Sequence, residues 1–234
     1  MLTPPEIARS LLAAGESKAR LPLGKMLLLA ILAGAYIALA GVGATAAAVT
    51  VESGSLAKLL SACVFPAGLS MVILAGSELF TGNCLMVMAL LERRITPAQL
   101  LRNWLTVYLG NAVGGAAVAA LAVYSHTASL FGDGLARSMV SIAESKAALG
   151  FGDAFLRGVL CNFLVCLAVW MAAASKRAEG KVIALFFPIL LFVLCGYEHC
   201  IANLYYLPAG AFAAAEYGME TTLTLAGCLE NLAA

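Results

Sequence analysis

Residues Leu59 to Leu91 form an apolar stretch with a single carboxylate, Glu78, inside it, and Val182 to Ala215 form a second one around Glu198-His199. At ~1.5 Å rise per residue, either stretch would reach about 50 Å as one straight helix, against about 30 Å for the hydrocarbon core of a bilayer. Each must tilt strongly or break. A break frees backbone N–H and C=O groups that hydrocarbon cannot satisfy, so a broken helix needs polar partners brought to it. Breaks at matching places in two halves of a chain point to a pathway near the membrane midplane.

The lipid setting follows from composition. The chain is 62% apolar and 12% charged, whereas soluble domains sit near ~45–50% and ~25%. Three further uncharged runs, Met26–Val51, Asn103–Gly132 and Gly158–Ser175, are near or above the ~20 residues a spanning helix needs. None shows the period-2 alternation of a membrane barrel. Lys plus Arg number 14 against 13 Asp plus Glu, so there is no basic excess for nucleic acid, and disorder is excluded as well. The seven cysteines lie mostly in apolar runs and are expected to be free thiols. Cys161 and Cys166, or Cys195 and Cys200, are five residues apart and do not share a helix face, so no metal site and no other cofactor is expected. Met1 to Lys25 shows no apolar core with a cleavage site and is expected not to be a signal peptide.

Gly76-Ser77-Glu78-Leu79-Phe80-Thr81-Gly82-Asn83 and Gly196-Tyr197-Glu198-His199-Cys200-Ile201-Ala202-Asn203 share the pattern G-x-E-x-x-x-x-N at an offset of 120 residues. The match falls on both interruptions, which argues for an internal duplication. With spans near 26–51, 59–91, 103–125, 158–175 and 182–215, the first repeat holds three crossings, an odd number, so the second starts from the opposite side and is inverted relative to the first. Ten of the basic residues then fall on the side of the N-terminus and four, Lys58, Arg137, Lys146 and Arg157, on the other. That asymmetry places the N-terminus in the cytoplasm, and the expected location is the cytoplasmic (inner) membrane. The expected fold class is an all-α membrane protein made of inverted repeats of three spans with two broken helices. Its parts are an N-terminal helix (1–25), a first repeat (26–132), an outer loop (133–157) and a second repeat (158–234) whose sixth span is expected to be missing.

Thr3-Pro4-Pro5-Glu6 reads as a capping box that opens an amphipathic helix with Ile7, Leu11 and Leu12 on one face and Gly15 as its stop, lying on the cytoplasmic face of the membrane. Gly41-Val42-Gly43-Ala44-Thr45-Ala46 mimics a dinucleotide fingerprint but sits in a membrane helix. Gly110 and Gly114 are spaced for close helix packing. His126 is expected to be solvated.

Glu78, Glu198 and His199 are the ionisable groups set deepest in apolar sequence, a position costly enough to call for a purpose. The two glutamates are expected to accept hydrogen bonds from backbone N–H groups freed at the breaks, with Asn83 and Asn203 as repeated companions. Thr81 or Asn83 is expected to cap the helix that resumes after the first break. His199 stands where the first repeat has Leu79, and that asymmetry suggests a role in the pathway.

The motifs Ala75-Gly76-Ser77-Glu78-Leu79-Phe80-Thr81-Gly82, Leu109-Gly110-Asn111, Gly158 to Trp170, and Gly196 to Asn203 together resemble the formate/nitrite transporter family along nearly all of the chain after residue 20. Within the family, Cys161 to Trp170, Gly196-Tyr197-Glu198-His199 and Thr224 to Gly227 are most similar to the nitrite-channel branch. The resemblance implies an aquaporin-like protomer, a homopentamer with one pore in each subunit, and nitrite, formate or hydrosulfide as substrate. It assigns His199 as the pore histidine, Thr81 to the first broken-helix loop, Asn162 as the histidine's companion and Lys146 to the vestibule. Phe65, Leu69, Leu79 and Phe192 fall at its constriction positions.

An anion entering an apolar ring faces an idealised cost of order 20 kcal/mol. The expected route is therefore attraction of the anion by Lys146, followed by passage mainly as the neutral acid, with His199, linked to Asn162, relaying the proton or holding the anion. Rival readings are an intramembrane enzyme using Glu198 and His199 as base and acid, and a non-conducting scaffold. No H-E-x-x-H or G-x-S-x-G motif supports the enzyme.

Overall fold

The computed structural model describes residues 1–234. Every element is helical: α1 (Pro4–Ala19), α2 (Leu23–Ala48), α3 (Gly54–Val64), α4 (Pro66–Ala75), α5 (Phe80–Asn83), α6 (Val87–Leu91), α7 (Pro97–Tyr124), α8 (Gly134–Ala147), α9 (Phe151–Ala173), α10 (Ala178–Leu194), α11 (Cys200–Glu216) and α12 (Leu225–Ala233). Four helical segments, Leu23–Ala48, Gly54–Ala75, Pro97–Tyr124 and Phe151–Ala173, are long and apolar enough to cross a membrane. Large apolar side chains such as Leu105, Leu109, Leu160 and Phe163 are exposed on their outer faces, the arrangement that hydrocarbon solvent favours.

Both long stretches break. α4 ends at Gly76 (φ 77°) and α5 starts at Phe80; α10 ends before Gly196 (φ 69°) and α11 starts at Cys200. The left-handed glycine lets the chain turn back on the helix end, and the Ser77 and Tyr197 N–H groups donate to the carbonyls of Val72 (3.0 Å) and Phe192 (3.0 Å), satisfying acceptors the helix would otherwise orphan. The glycine of G-x-E-x-x-x-x-N is thus a helix stop in both halves.

The spans begin earlier than the uncharged runs suggest. Lys25, Lys58, Arg102 and Arg157 all lie within helices, because long basic side chains can run along apolar surface while their charge stays in water. The segment 133–157 is mostly helical, holding α8 and the first turns of α9. α1 starts with the Thr3/Glu6 capping box and buries Ile7 and Leu12. Gly15 does not stop it: the helix continues to Ala19, and Gly15 faces Ala89 across a close contact, a Cβ there lying 3.1 Å from Ala89 Cβ.

The two halves correspond element by element. α1 packs against the α5–α6 half-span as α8 packs against α11, where a Cβ on Gly210 would lie 2.3 Å from Ala143 Cβ. α2 and α9, α3–α4 and α10, and α7 and α12 occupy the same places in sequence order. Within the first half, α2 and α7 approach so closely that a Cβ on Gly114 would lie 2.0 Å from the Ile31 carbonyl oxygen, the packing role expected of Gly110 and Gly114. All seven cysteines are free.

Candidate functional site

The two breaks meet at the centre of the fold. Thr81, in the first turn of α5, places Oγ1 3.2 Å from Nε2 of His199, the residue that begins α11. His199 caps its own helix: the Ala202 N–H donates to Nδ1 at 3.0 Å. A ring nitrogen that accepts cannot carry the proton, so in the neutral imidazole the hydrogen is on Nε2 and is donated to Thr81 Oγ1. His199 is buried and its ring stacks on Phe192, with centroids 5.5 Å apart. In the first break the cap comes from a distant helix instead. Asn111 of α7 accepts from the Phe80 N–H (3.0 Å) and donates to the carbonyls of Ala30 (2.7 Å) and Glu78 (2.9 Å). Neither Thr81 nor Asn83 caps α5 as expected; Thr81 turns to His199 and Asn83 to Glu78.

The glutamates also differ from expectation in their partners, which are side chains rather than backbone N–H groups. Lys18 Nζ donates to Glu78 Oε1 (2.7 Å) and Asn83 Oδ1 (2.8 Å), while Asn83 Nδ2 donates to Glu78 Oε2 (2.7 Å) and Asn103 Oδ1 (2.9 Å). The second half repeats the set. Lys146 Nζ donates to both oxygens of Glu198 (3.1 and 2.9 Å), and Asn203 Nδ2 donates to Glu198 Oε2 (2.7 Å) and Asn231 Oδ1 (2.7 Å). Each carboxylate is held at a break by a lysine from the packed surface helix, α1 or α8, and by the asparagine five residues on. Burial without such partners would be prohibitive, and with them each break becomes rigid.

Two cavities open toward this centre. One, of about 360 Å³, has Lys146, Glu198, Phe65, Phe192 and His199 in its wall; the other, of about 320 Å³, has Lys18, Glu78, Leu69 and Leu79. Between them lies a void of only about 10 Å³, lined by Ile37, Phe65, Leu69, Leu79, Val165, Ile189, Phe192 and His199. The four residues that the resemblance puts at the constriction, Phe65, Leu69, Leu79 and Phe192, therefore line one void, and Phe65 meets Phe192 edge to face at 5.6 Å. The ring is itself a product of the repeat, with Leu69 facing its equivalent Ile189 and Leu79 replaced by His199.

Asn162 is not bonded to His199. It lines a side cavity of about 220 Å³ that also touches Thr81 and His199, and its buried Oδ1 has no partner. Nor do Glu198 and His199 form an acid–base pair, since the carboxylate is committed to Lys146 and Asn203 and the ring to Ala202 and Thr81. Lys18, Asn103 and Asn231 carry no mark in the sequence motifs, and Asn111 stands in one of them without its capping role being visible. The signal for Lys18 was available: Glu16-Ser17-Lys18-Ala19 recurs as Glu144-Ser145-Lys146-Ala147.

Residues 5–233 match the family model described as formate/nitrite transporter. The chain belongs to the formate/nitrite transporter family. It is 39% identical over 229 residues to a probable formate transporter of Methanothermobacter thermautotrophicus, covering 90% of this chain and 83% of that one. It is 35% identical over 213 residues to the formate channel FocA of Escherichia coli K12, covering 90% and 74%. Among solved structures, an FNT family ion channel superposes with a TM-score of 0.86 at 31% identity, covering 98% of this chain and 90% of that one. A pentameric formate channel with formate bound gives 0.80 at 30% identity, covering 90% and 89%. This family member is a multi-pass membrane protein with the helical fold of those channels.

Proposed function

We propose that this chain forms a pore for the monovalent anions of small weak acids, which cross the central constriction as the neutral acid. The observation that carries the reading is the pair of cavities, about 360 and 320 Å³, separated by an apolar gap of about 10 Å³ beside a single imidazole. An unpaired charge in that gap loses its hydration and gains no ion partner, at an idealised cost of order 20 kcal/mol. Protonation removes most of that cost. A molecule with one carboxyl or nitrous acid group can then be met by the edge of His199, which lines the gap, and by the Thr81 hydroxyl bonded to it.

Formate is the first substrate to test, because the relatives and the ligand-bound structure above are named for it. Nitrite, favoured by the Cys161 to Trp170 stretch, is its competitor, and hydrosulfide the third. The same comparison supports a homopentamer, and two cavities meeting at a gap inside one chain support a pore in each subunit. The distribution of basic residues supports a cytoplasmic N-terminus in the cytoplasmic membrane, with α1 on the inner side and α8 on the outer. Lys146 and Lys18, each paired to a buried glutamate, hold the breaks.

The test is radiolabelled formate and nitrite uptake into proteoliposomes as external pH is lowered from 8 to 5. Neutral-acid passage requires flux to rise as the protonated fraction rises, by about tenfold per pH unit while that fraction is small. Flux that is independent of pH over this range would refute it.

A further inference from the structure

Charge breaks the approximate two-fold symmetry of the cavities. On the α1 side, the charged side chains in the wall are Lys18 and Glu78, which neutralise one another. On the α8 side, the corresponding pair Lys146 and Glu198 is joined by Lys58 and Arg157. Neither of these two makes a salt bridge or a side-chain hydrogen bond, and the Ser141 hydroxyl in the same wall is also uncommitted, whereas Ser61 and Ser145 donate to backbone carbonyls. The positions equivalent to Lys58 and Arg157 in the other half are Ala178 and Leu29. One cavity therefore carries two uncompensated positive charges and the other carries none.

Two free cations in the wall of one open cavity are more than a monovalent anion needs, and they match an oxyanion with two charges. Sulfate or hydrogenphosphate would gain charge-assisted hydrogen bonds from both, and a volume of about 360 Å³ accommodates either. Neither has a neutral form at neutral pH, so the apolar gap that passes a weak acid is closed to them. We propose that the α8-side cavity is a binding site for divalent oxyanions, held by Lys58 and Arg157, whose occupancy obstructs the pore from that side alone. The obstruction rests on the proposed pore; the binding does not.

The test begins with binding, so that it is independent of transport. Radiolabelled sulfate is equilibrated with the full chain in nanodiscs, for the parent, Lys58→Gln, Arg157→Gln and the double variant. Both side chains are exposed, so the substitutions leave the packed interior alone, and a monodisperse elution profile checks this. Each single variant is expected to bind about tenfold more weakly, the effect of losing one charge-assisted hydrogen bond, and the double variant not detectably. Hydrogenphosphate should compete, and chloride at equal ionic strength should not. Equal sulfate binding by parent and double variant, or binding abolished by about 0.15 M chloride, would overturn the site. In vesicles of one orientation, sulfate on the α8 side should inhibit formate uptake and sulfate on the α1 side should not. Inhibition equal from both sides would overturn the obstruction, while absent formate flux with intact sulfate binding would overturn the pore and leave the site standing.

Discussion

Replacing Lys146 with methionine keeps most of the side chain's length and apolar stem but strips Glu198 of its counter-charge. The ammonium lies 2.9 Å from Oε2, and the two side chains are 15% and 10% exposed. At an effective dielectric constant of about 20, the gross attraction at that distance is about 6 kcal/mol. Desolvation offsets much of it, but the single variant leaves a buried carboxylate with Asn203 as its remaining side-chain donor, and breaking a buried pair in this way costs about 3–5 kcal/mol. Lys146→Met combined with Glu198→Gln removes both charges and should recover much of that loss. We expect a coupling energy of about 2–3 kcal/mol from the four proteins, read from reversible unfolding in mixed micelles. The equivalent cycle at Lys18 and Glu78, whose lysine is 29% exposed, should give a smaller coupling because water screens it more. Additivity of the two Lys146–Glu198 substitutions within about 0.5 kcal/mol would refute the reasoning.

Three further outcomes follow from the geometry. His199→Asn keeps an acceptor for the Ala202 N–H and should destabilise α11 by less than His199→Phe, which orphans that donor at a cost of about 1–3 kcal/mol; hydrogen exchange at Ala202 reads the difference. Gly114→Ala should lower the unfolding midpoint sharply, since the new Cβ meets the Ile31 carbonyl, whereas Gly24→Ala, which meets nothing, should raise helix stability by about 0.5–1 kcal/mol. Glu144, outside the spans, accepts from the Thr222 N–H (2.7 Å) and the Thr221 hydroxyl (2.9 Å), and the first of these contacts is the main reason its carboxyl titrates below the usual value. Its folded-state pKa is depressed, so the contribution to holding 221–222 on α8 is present above the ordinary carboxylate pKa and lost as pH falls through the folded one. Protection of the Thr222 amide should disappear over that acid range in the parent and be insensitive to it in Glu144→Gln.

The breaks could be read from the sequence because they are a local conflict, a carboxylate inside an apolar stretch too long for the bilayer. The glycine stops and the repeated asparagine came with them. The partners could not be read so directly. Lys18 looked like one of many surface cations, and only the recurrence of Glu-Ser-Lys-Ala ties it to Lys146. Which group caps each resumed helix depends on tertiary placement: Asn111 reaches the first break from α7, and His199 serves the second by folding back on its own backbone. The same non-locality explains why Asn162, on α9, shares a cavity wall with His199 without bonding to it. Phe65, Leu69, Leu79 and Phe192 came from family resemblance, because an apolar residue at a pore has the same local pattern as one in a helix core. Ile37, Val165 and Ile189 carry no mark at all.

A ring with one nitrogen pledged to the start of its own helix has only the other to turn outward, and that one is held by Thr81. It cannot take a proton at one edge and release it at the other without first letting go of the Ala202 amide, so bucket-brigade conduction along the axis is closed to it. What remains is a fixed donor aimed at Thr81, and turning it round means fraying the first turn of α11.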